Sequence, residues 1–212
     1  VKLSILLPVY NQQELVIRAL ESLPIRDDIE VIVIDDCSTD DTFRNLVKYK
    51  KDHQNLNITL LRNEVNLGIG LTKNRGYDIA TGEYIGLLDS DDYVYTEEYD
   101  RAIDEIDGSD IVFIDAEKND GSRFHLNPNN QRHICAGWAR FIKRDFLYDS
   151  RCPNVRAGED WYLNEKLTKK NPTTKYTGIV AYHYNFPREG SLYDLVQKGI
   201  LKGIEEINNG KQ

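Results

Sequence analysis

Three carboxylates fall within four residues in the run Leu87-Leu88-Asp89-Ser90-Asp91-Asp92. Such a cluster repels itself, so a fold keeps it at a strand end only where something positive offsets it. Hard oxygen ligands of this kind suit Mg2+ or Mn2+, ions that also take phosphate oxygens and water. A metal held by one or two carboxylates neutralises the charge that develops on a leaving diphosphate. Taken alone, the run also fits a polar turn with a helix cap from Ser90 or Asp91, because turns favour Asp and Ser. A second acidic pair, Asp35-Asp36, closes an earlier apolar run.

The elements that position these residues alternate. Leu3 to Val9 is an apolar run broken by Pro8 and Asn11. Asn11 has the form of an N-cap, with Glu14 three residues on, and Val16, Ile17, Leu20 and Leu23 follow at helical spacing. Glu30 to Ile34 is β-branched and apolar, the mark of a buried strand. Ser38 or Thr39 is expected to cap the next helix, with Phe43, Leu46 and Val47 on one side. Ile58 to Leu61 reads as a third strand. Asn66 to Gly70 is a loop into a helix ending near Gly82, and Tyr84 to Leu88 is a fourth strand. This alternation predicts a parallel α/β sheet with right-handed crossovers, whose ligands bind beyond the carboxyl ends of the strands. Both acidic clusters sit at those ends.

After Ile103 the pattern changes. Asp110 to Asp115 predicts a short strand, Glu117 to Arg132 a loop or hairpin, and Trp138 to Tyr148 is mixed apolar and basic. Glu159 to Leu167 predicts a helix, Gly178 to Tyr184 a strand, and Leu192 to Ile207 a final amphipathic helix.

The chain of 212 residues fits one domain or one domain with a small appendage. Hydrophobic residues at 40% and charged residues at 29% support a packed core under a charged surface. A net charge of −8 argues against general nucleic-acid binding and against charge-driven binding to anionic membranes. Lys166, Lys169 and Lys170 read as a solvated helix face. Cys37, Cys135 and Cys152 form no close pair, which argues against a disulfide framework or a zinc site and points to a reducing, cytoplasmic compartment. No apolar run approaches a membrane span, and no signal peptide precedes the first strand. Without any Met, and with Val1 leading straight into a strand, the chain suggests a removed initiator or trimming.

Four segments in order carry a resemblance: Leu7-Pro8-Val9-Tyr10-Asn11, then Val33-Ile34-Asp35-Asp36-Cys37-Ser38-Thr39-Asp40, then Asn66-Leu67-Gly68, then Gly82-Glu83-Tyr84-Ile85 into Asp89-Ser90-Asp91-Asp92. Together they resemble the nucleotide-sugar-binding half of a family 2 glycosyltransferase with the GT-A fold. The likeness is clear over residues 1 to about 100 and thinner to about 190. It implies an α/β fold of GT-A type, with a mostly parallel central sheet flanked by helices and a small acceptor-side region. Residues 1–100 would bind the donor, 101–190 would carry the acceptor side and the base, and 191–212 would form the C-terminal helix of one compact unit.

The resemblance also implies roles. Pro8, Tyr10 and Asn11 match the loop that lines base and ribose, and Asp36 matches the acid that hydrogen-bonds the base, usually uracil. Asn66 and Gly68 belong to the donor loop. Asp89 to Asp92 matches the Asp-X-Asp motif; Asp91 is the expected metal ligand with Asp92 its rival, and Asp89 and Asp92 are expected at the donor. His183 resembles a late His that completes the metal site, although a lone His between aromatics is more often structural. Thr72-Lys73-Asn74-Arg75-Gly76 stands where the family often has Ala-Arg-Asn-X-Gly, so Lys73 or Arg75 would meet the diphosphate. Lys offers only a point charge there in place of a bidentate fork. Gly158-Glu159-Asp160-Trp161 resembles the Glu-Asp pair at a helix start, with Asp160 the general base and Glu159 beside the acceptor. Acidic residues there also meet the helix dipole. Trp138 stands where the family has a Trp near the acceptor, a position equally suited to core packing.

The expected activity is transfer from a nucleotide-sugar, a UDP-sugar by resemblance, to an acceptor hydroxyl with inversion, assisted by Mn2+ or Mg2+, in glycan or polysaccharide biosynthesis. The acceptor is a glycan, a lipid-linked sugar or a small molecule. The final helix, with Leu192, Leu195, Val196, Ile200, Leu201 and Ile204, offers packing on the domain, a homodimer contact or a membrane-associated partner, hence a cytoplasmic protein or one peripheral at the inner face of the membrane. A nucleotidyltransferase making sugar nucleotides is the first alternative, but Pro8-Val9-Tyr10-Asn11-Gln12-Gln13 lacks the Gly and Lys of a phosphate loop. A non-catalytic sugar-nucleotide or glycan-binding module is the second. It would tolerate a broken set of carboxylates, and the set is complete.

Overall fold

The computed structural model describes residues 1–126, 136–155 and 157–199. β1 (Leu3–Val9) and β2 (Ile29–Asp35) are buried at every position. Runs that are apolar on both faces go to the centre of a parallel sheet, where helices cover both sides. β3 (Ile58–Arg62) and β4 (Tyr84–Leu87) flank them, so that β3, β2, β1 and β4 lie side by side and parallel. α1 (Leu15–Glu21), α2 (Thr42–Asp52) and α3 (Ile69–Ile79) are the crossovers.

Beyond β4 the sheet becomes mixed. β5 (Tyr93–Val94), β6 (Ile111–Lys118), β7 (Arg123–Phe124), β8 (Arg140–Lys143) and β9 (Thr174–Tyr184) extend it in the order β3-β2-β1-β4-β8-β6-β9-β5, with β7 paired to β6. β8 is antiparallel to β4 and β6, while β9 runs parallel to β6. The segment after Glu117 is a hairpin, Ala116 opposing Phe124. α4 (Thr96–Asp104), α5 (Arg144–Leu147), α6 (Glu159–Thr168) and α7 (Leu192–Gln197) complete the described elements, together with a 3-10 turn at Gly137–Ala139.

Two expected helix caps are spent elsewhere. Asn11 precedes α1 by several residues, sits at φ 51°, and accepts the Thr39 amide on Oδ1 at 2.8 Å. Ser38 Oγ accepts the Asn11 amide at 2.9 Å, and α2 begins after Asp41 without a side-chain cap. These bonds lace the loop after β1 to the loop after β2. On α2 the buried residues are Thr42, Leu46 and Tyr49, while Val47 is exposed. The helix therefore turns a different face inward from the one expected. Of the final helix only Leu192–Gln197 is described as helical; Ile200, Leu201 and Ile204, like Cys135, lie outside the described residues. Cys37 and Cys152 are free. No helix among the described residues is long and apolar enough to cross a membrane.

Candidate active site

The carboxyl ends of β1, β2 and β4 open onto one cavity of about 1260 Å³. Pro8, Tyr10, Asn11, Asp36, Asn66, Gly68, Lys73, Asp89, Asp91 and Asp92 line it. Trp138, Glu159 and Asp160 line it as well. The fold thus gathers donor-side and acceptor-side expectations, separated by up to 152 positions from Pro8 to Asp160, around one space.

Asp36 is buried and clamps the Asn66–Gly68 loop. Its Oδ1 accepts Asn63 Nδ2 at 2.6 Å and the Leu67 amide at 2.8 Å; its Oδ2 accepts the Gly68 amide at 2.8 Å. Asn66 Nδ2 reaches the Asp36 carbonyl at 3.3 Å. Gly68, at φ 83°, makes the turn into α3 that side chains disfavour. Tyr10, 44% exposed, leaves its ring open to a ligand. Non-glycine residues with positive φ are rare, and Asn11 and Cys37 (φ 63°) stand in the loops after β1 and β2.

The acidic cluster divides by environment. Asp92 is 1% exposed, and both its oxygens are taken, Oδ2 by the Tyr182 hydroxyl at 2.7 Å and Oδ1 by the Asn185 amide at 2.8 Å. It braces the strand end while also lining the cavity. Asp91 is partly exposed, and Arg188 Nε donates to its Oδ2 at 2.7 Å. Burial pushes the Asp89 carboxyl up to about 7, against the pull of Lys73 and with added repulsion from Asp160 and Asp91. Burial, then repulsion from Asp89 and Asp91, pushes Asp92 up to about 8. The cluster is therefore short of positive charge.

Among the described residues no three His, Cys, Asp or Glu side chains converge on one point. A divalent cation fits here only in the mode that takes one or two carboxylates and completes its shell from phosphate and water. Asp91 fits that mode: its oxygen faces the cavity and already accepts a cation, the Arg188 guanidinium.

Several expected residues are placed differently. His183 does not line the cavity. Successive strand side chains face opposite ways, so Tyr182 and Tyr184 turn to the site and His183 turns away. It stacks on Tyr93 at 4.2 Å, and burial lowers its pKa. Lys73 lines the cavity but is 2% exposed, and its ammonium donates to Glu159 Oε1 at 2.7 Å and Asp160 Oδ1 at 2.8 Å. Burial pushes its ammonium down, but Asp160 and Glu159 outweigh this and hold it well above the usual lysine range. Arg75 donates to Asn63 Oδ1, and Glu159 is buried in its pair with Lys73. Asp160 Oδ2 accepts the Gly137 amide at 3.3 Å.

Trp138 stacks on Tyr182 at 4.6 Å and leans on Tyr184 at 5.2 Å, which stacks on Phe186 at 5.3 Å. Trp138, Tyr184 and Phe186, with Phe124 and Leu126, form an apolar lining of the cavity, and Tyr182 packs behind Trp138. Tyr182, Tyr184, Asn185, Arg188 and Gly137 are site residues that sequence reasoning passed over. Strand parity around His183 held the signal for the two tyrosines; nothing local marked Arg188. α7 also lines the cavity, through Leu195, Val196 and Gln197.

Residues 4–169 match the family model described as Glycosyl transferase family 2. A poly(ribitol-phosphate) beta-glucosyltransferase of Bacillus spizizenii is 41% identical over 101 residues, covering 45% of this chain and 16% of that protein. The poly(ribitol-phosphate) beta-N-acetylglucosaminyltransferase TarS of Staphylococcus aureus is 36% identical over 120 residues, covering 53% of this chain and 20% of that protein. The crystal structure of TarS 1-349 in complex with UDP-GlcNAc superposes with a TM-score of 0.74 at 27% identity, over 90% of this chain and 60% of that one. The chain thus spans a fifth or less of the length of these curated relatives. The family match reaches residue 169 and so includes Asp160, and the superposition covers 90% of this chain.

Proposed function

The chain belongs to glycosyl transferase family 2, and from that premise we propose that it transfers a sugar from a UDP-sugar to an acceptor hydroxyl with inversion, in the assembly of a glycan or polysaccharide. The observation that carries this is the meeting of two carboxylate sets at one cavity, Asp89 and Asp91 from the donor half and Asp160 from the acceptor half. The relatives' names and the UDP-GlcNAc held by TarS support the donor and product classes.

In this reading Tyr10 stacks on the base, Asn11 and Pro8 border the ribose, and Asp36 both shapes the Asn66–Gly68 turn and faces the base. Asp91 would hold Mn2+ or Mg2+, without His183. The ion, when bound, supplies charge to the departing diphosphate. Asp160 accepts the acceptor hydroxyl's proton as the oxygen attacks the anomeric carbon; the proton ends on the carboxylate and the nucleoside diphosphate leaves from the opposite face. Trp138 and its neighbouring rings hold the acceptor, excluding water from one side of the reaction.

Calorimetric titration of UDP and GDP, with Mn2+ and with EDTA, tests the donor site in wild type and Asp91→Ala. Expected is UDP binding that needs Mn2+ and weakens about tenfold or more in the variant, a loss of about 1.4 kcal/mol. No binding of either nucleotide at saturating Mn2+ would overturn the reading.

A further inference from the structure

We infer that Lys73 is a positioning residue for the base, aiming the Asp160 carboxylate at the acceptor hydroxyl and making no contact with the donor diphosphate. The inference rests on the proposed role of Asp160 and deepens it.

Three observations carry it. Lys73 comes from α3, on the donor side, and its ammonium ends between Glu159 and Asp160 at the start of α6, on the acceptor side. It is a buried pin between the two helices. Both contacts are short, 2.7 and 2.8 Å, and the side chain is 2% exposed. Turning to a phosphate would leave Glu159 buried without its cation, which is strongly unfavourable. Lastly, Asp160 is fixed at both oxygens, Oδ1 by Lys73 and Oδ2 by the Gly137 amide. The two bonds hold the carboxylate in one orientation where it borders the cavity.

The residue type fits the task. An ammonium is a compact point charge with three rotatable donors, so it serves two carboxylates on adjacent residues at once. A guanidinium fork is shaped to grip one carboxylate or phosphate with two parallel bonds. Glu159 has its own part: by sharing the cation it fixes the ammonium midway and keeps Lys73 from closing wholly on Asp160.

The test sets Lys73→Met beside Asp160→Asn. UDP affinity with Mn2+ is measured by calorimetry, and turnover is read as UDP released from UDP-GlcNAc to water, which requires no identified acceptor. Lys73→Met is expected to keep UDP affinity and the KM for UDP-GlcNAc near wild type while kcat falls about 100-fold, the scale of a displaced catalytic group. Lys73→Arg, which restores the charge with a different shape, should recover part of kcat. A merely structural loss would move UDP affinity and kcat together. A Lys73→Met variant that loses UDP affinity tenfold or more, about the loss of a direct ligand, overturns the inference, and so does one with wild-type kcat. Asp160→Asn with wild-type kcat instead removes the base assignment itself, whatever Lys73→Met does. If Lys73→Met alone does not fold, Lys73→Met/Glu159→Gln, which keeps the wild-type net charge, is judged by the same criteria.

Discussion

Asp160 leaves little room around itself, and Gly137 shows how little. A Cβ built at Gly137 would lie 3.0 Å from each Asp160 carboxylate oxygen and 2.9 Å from Leu87 Cδ1. Gly137→Ala therefore has to move Leu87, the proposed base Asp160 or the 3-10 turn that holds Trp138. Overpacking of this kind costs about 1–3 kcal/mol, and displacement of the base should lower UDP release about 100-fold. UDP affinity, set by other residues of the cavity, should hold. Wild-type turnover in a folded Gly137→Ala protein would show that Asp160 has slack. His183 gives the opposite expectation: His183→Gln should leave the Mn2+ dependence of UDP titration unchanged, because its ring faces Tyr93 and not Asp91. A weakened Mn2+ response in that variant would return His183 to the metal site. Residue types alone disclosed the acidic clusters. They did not disclose which carboxylate is free, because the partners that occupy Asp92 lie 90 and 93 positions away.

The segment after β9 behaves as a cover for the acidic cluster. Asn185 donates its amide to Asp92 and its side chain to the Asp91 carbonyl at 3.1 Å, and Arg188 pairs with the Asp91 carboxylate. Arg188 and a divalent cation would compete for the same Asp91 oxygen. Arg188→Met should then tighten Mn2+ binding in the absence of nucleotide by about fivefold, equivalent to about 1 kcal/mol for a partly exposed pair. Titration of free Mn2+ by electron paramagnetic resonance reads this directly, and equal or weaker binding in the variant would show that the pair does not guard the site. Elements were legible in proportion to their apolar runs. Leu3–Val9 was bounded as read, and Ile29–Asp35 lies within one residue of the reading at each end, since buried parallel strands write their burial into every position. Capping was not legible. Asn11 and Ser38 have the right chemistry for a cap, but each bonds across loops instead, and single-sequence spacing does not distinguish a local from a distant acceptor. The segment from Trp138 to Tyr148 resolves into a turn, a strand and a one-turn helix, each too short for periodicity to show.

At the scale of the whole molecule, an acidic chain gathers three carboxylates just beyond the carboxyl end of β4, an inner strand of its sheet. Without a cation, Asp89 and Asp92 are raised from 3.8 to about 7 and about 8, so the folded protein keeps protons that the unfolded chain releases. Stability that depends on those protons is present in full below about pH 4 and is lost as pH rises toward 8. Other groups act in separate windows. Asp28 and Glu30 have lowered pKa values and lend stability that is lost only as pH falls below their ordinary values of 3.8 and 4.5. His183, lowered from 6.5 by burial, lends stability that is lost as pH falls below that value. Between about pH 6.5 and 8 the acidic pair dominates. In EDTA the unfolding temperature should fall across that interval, with a slope of at most about 1.4 kcal/mol per pH unit for each proton retained. Mn2+ with UDP should flatten the slope, since a cation offsets the cluster without a proton, and Asp92→Asn should flatten it in EDTA alone. Scanning calorimetry at constant ionic strength separates these cases. An unfolding temperature that rises from pH 6.5 to 8 in EDTA would mean that Lys73 and Arg188 already neutralise the cluster, and that the site does not need a bound ion to balance its charge.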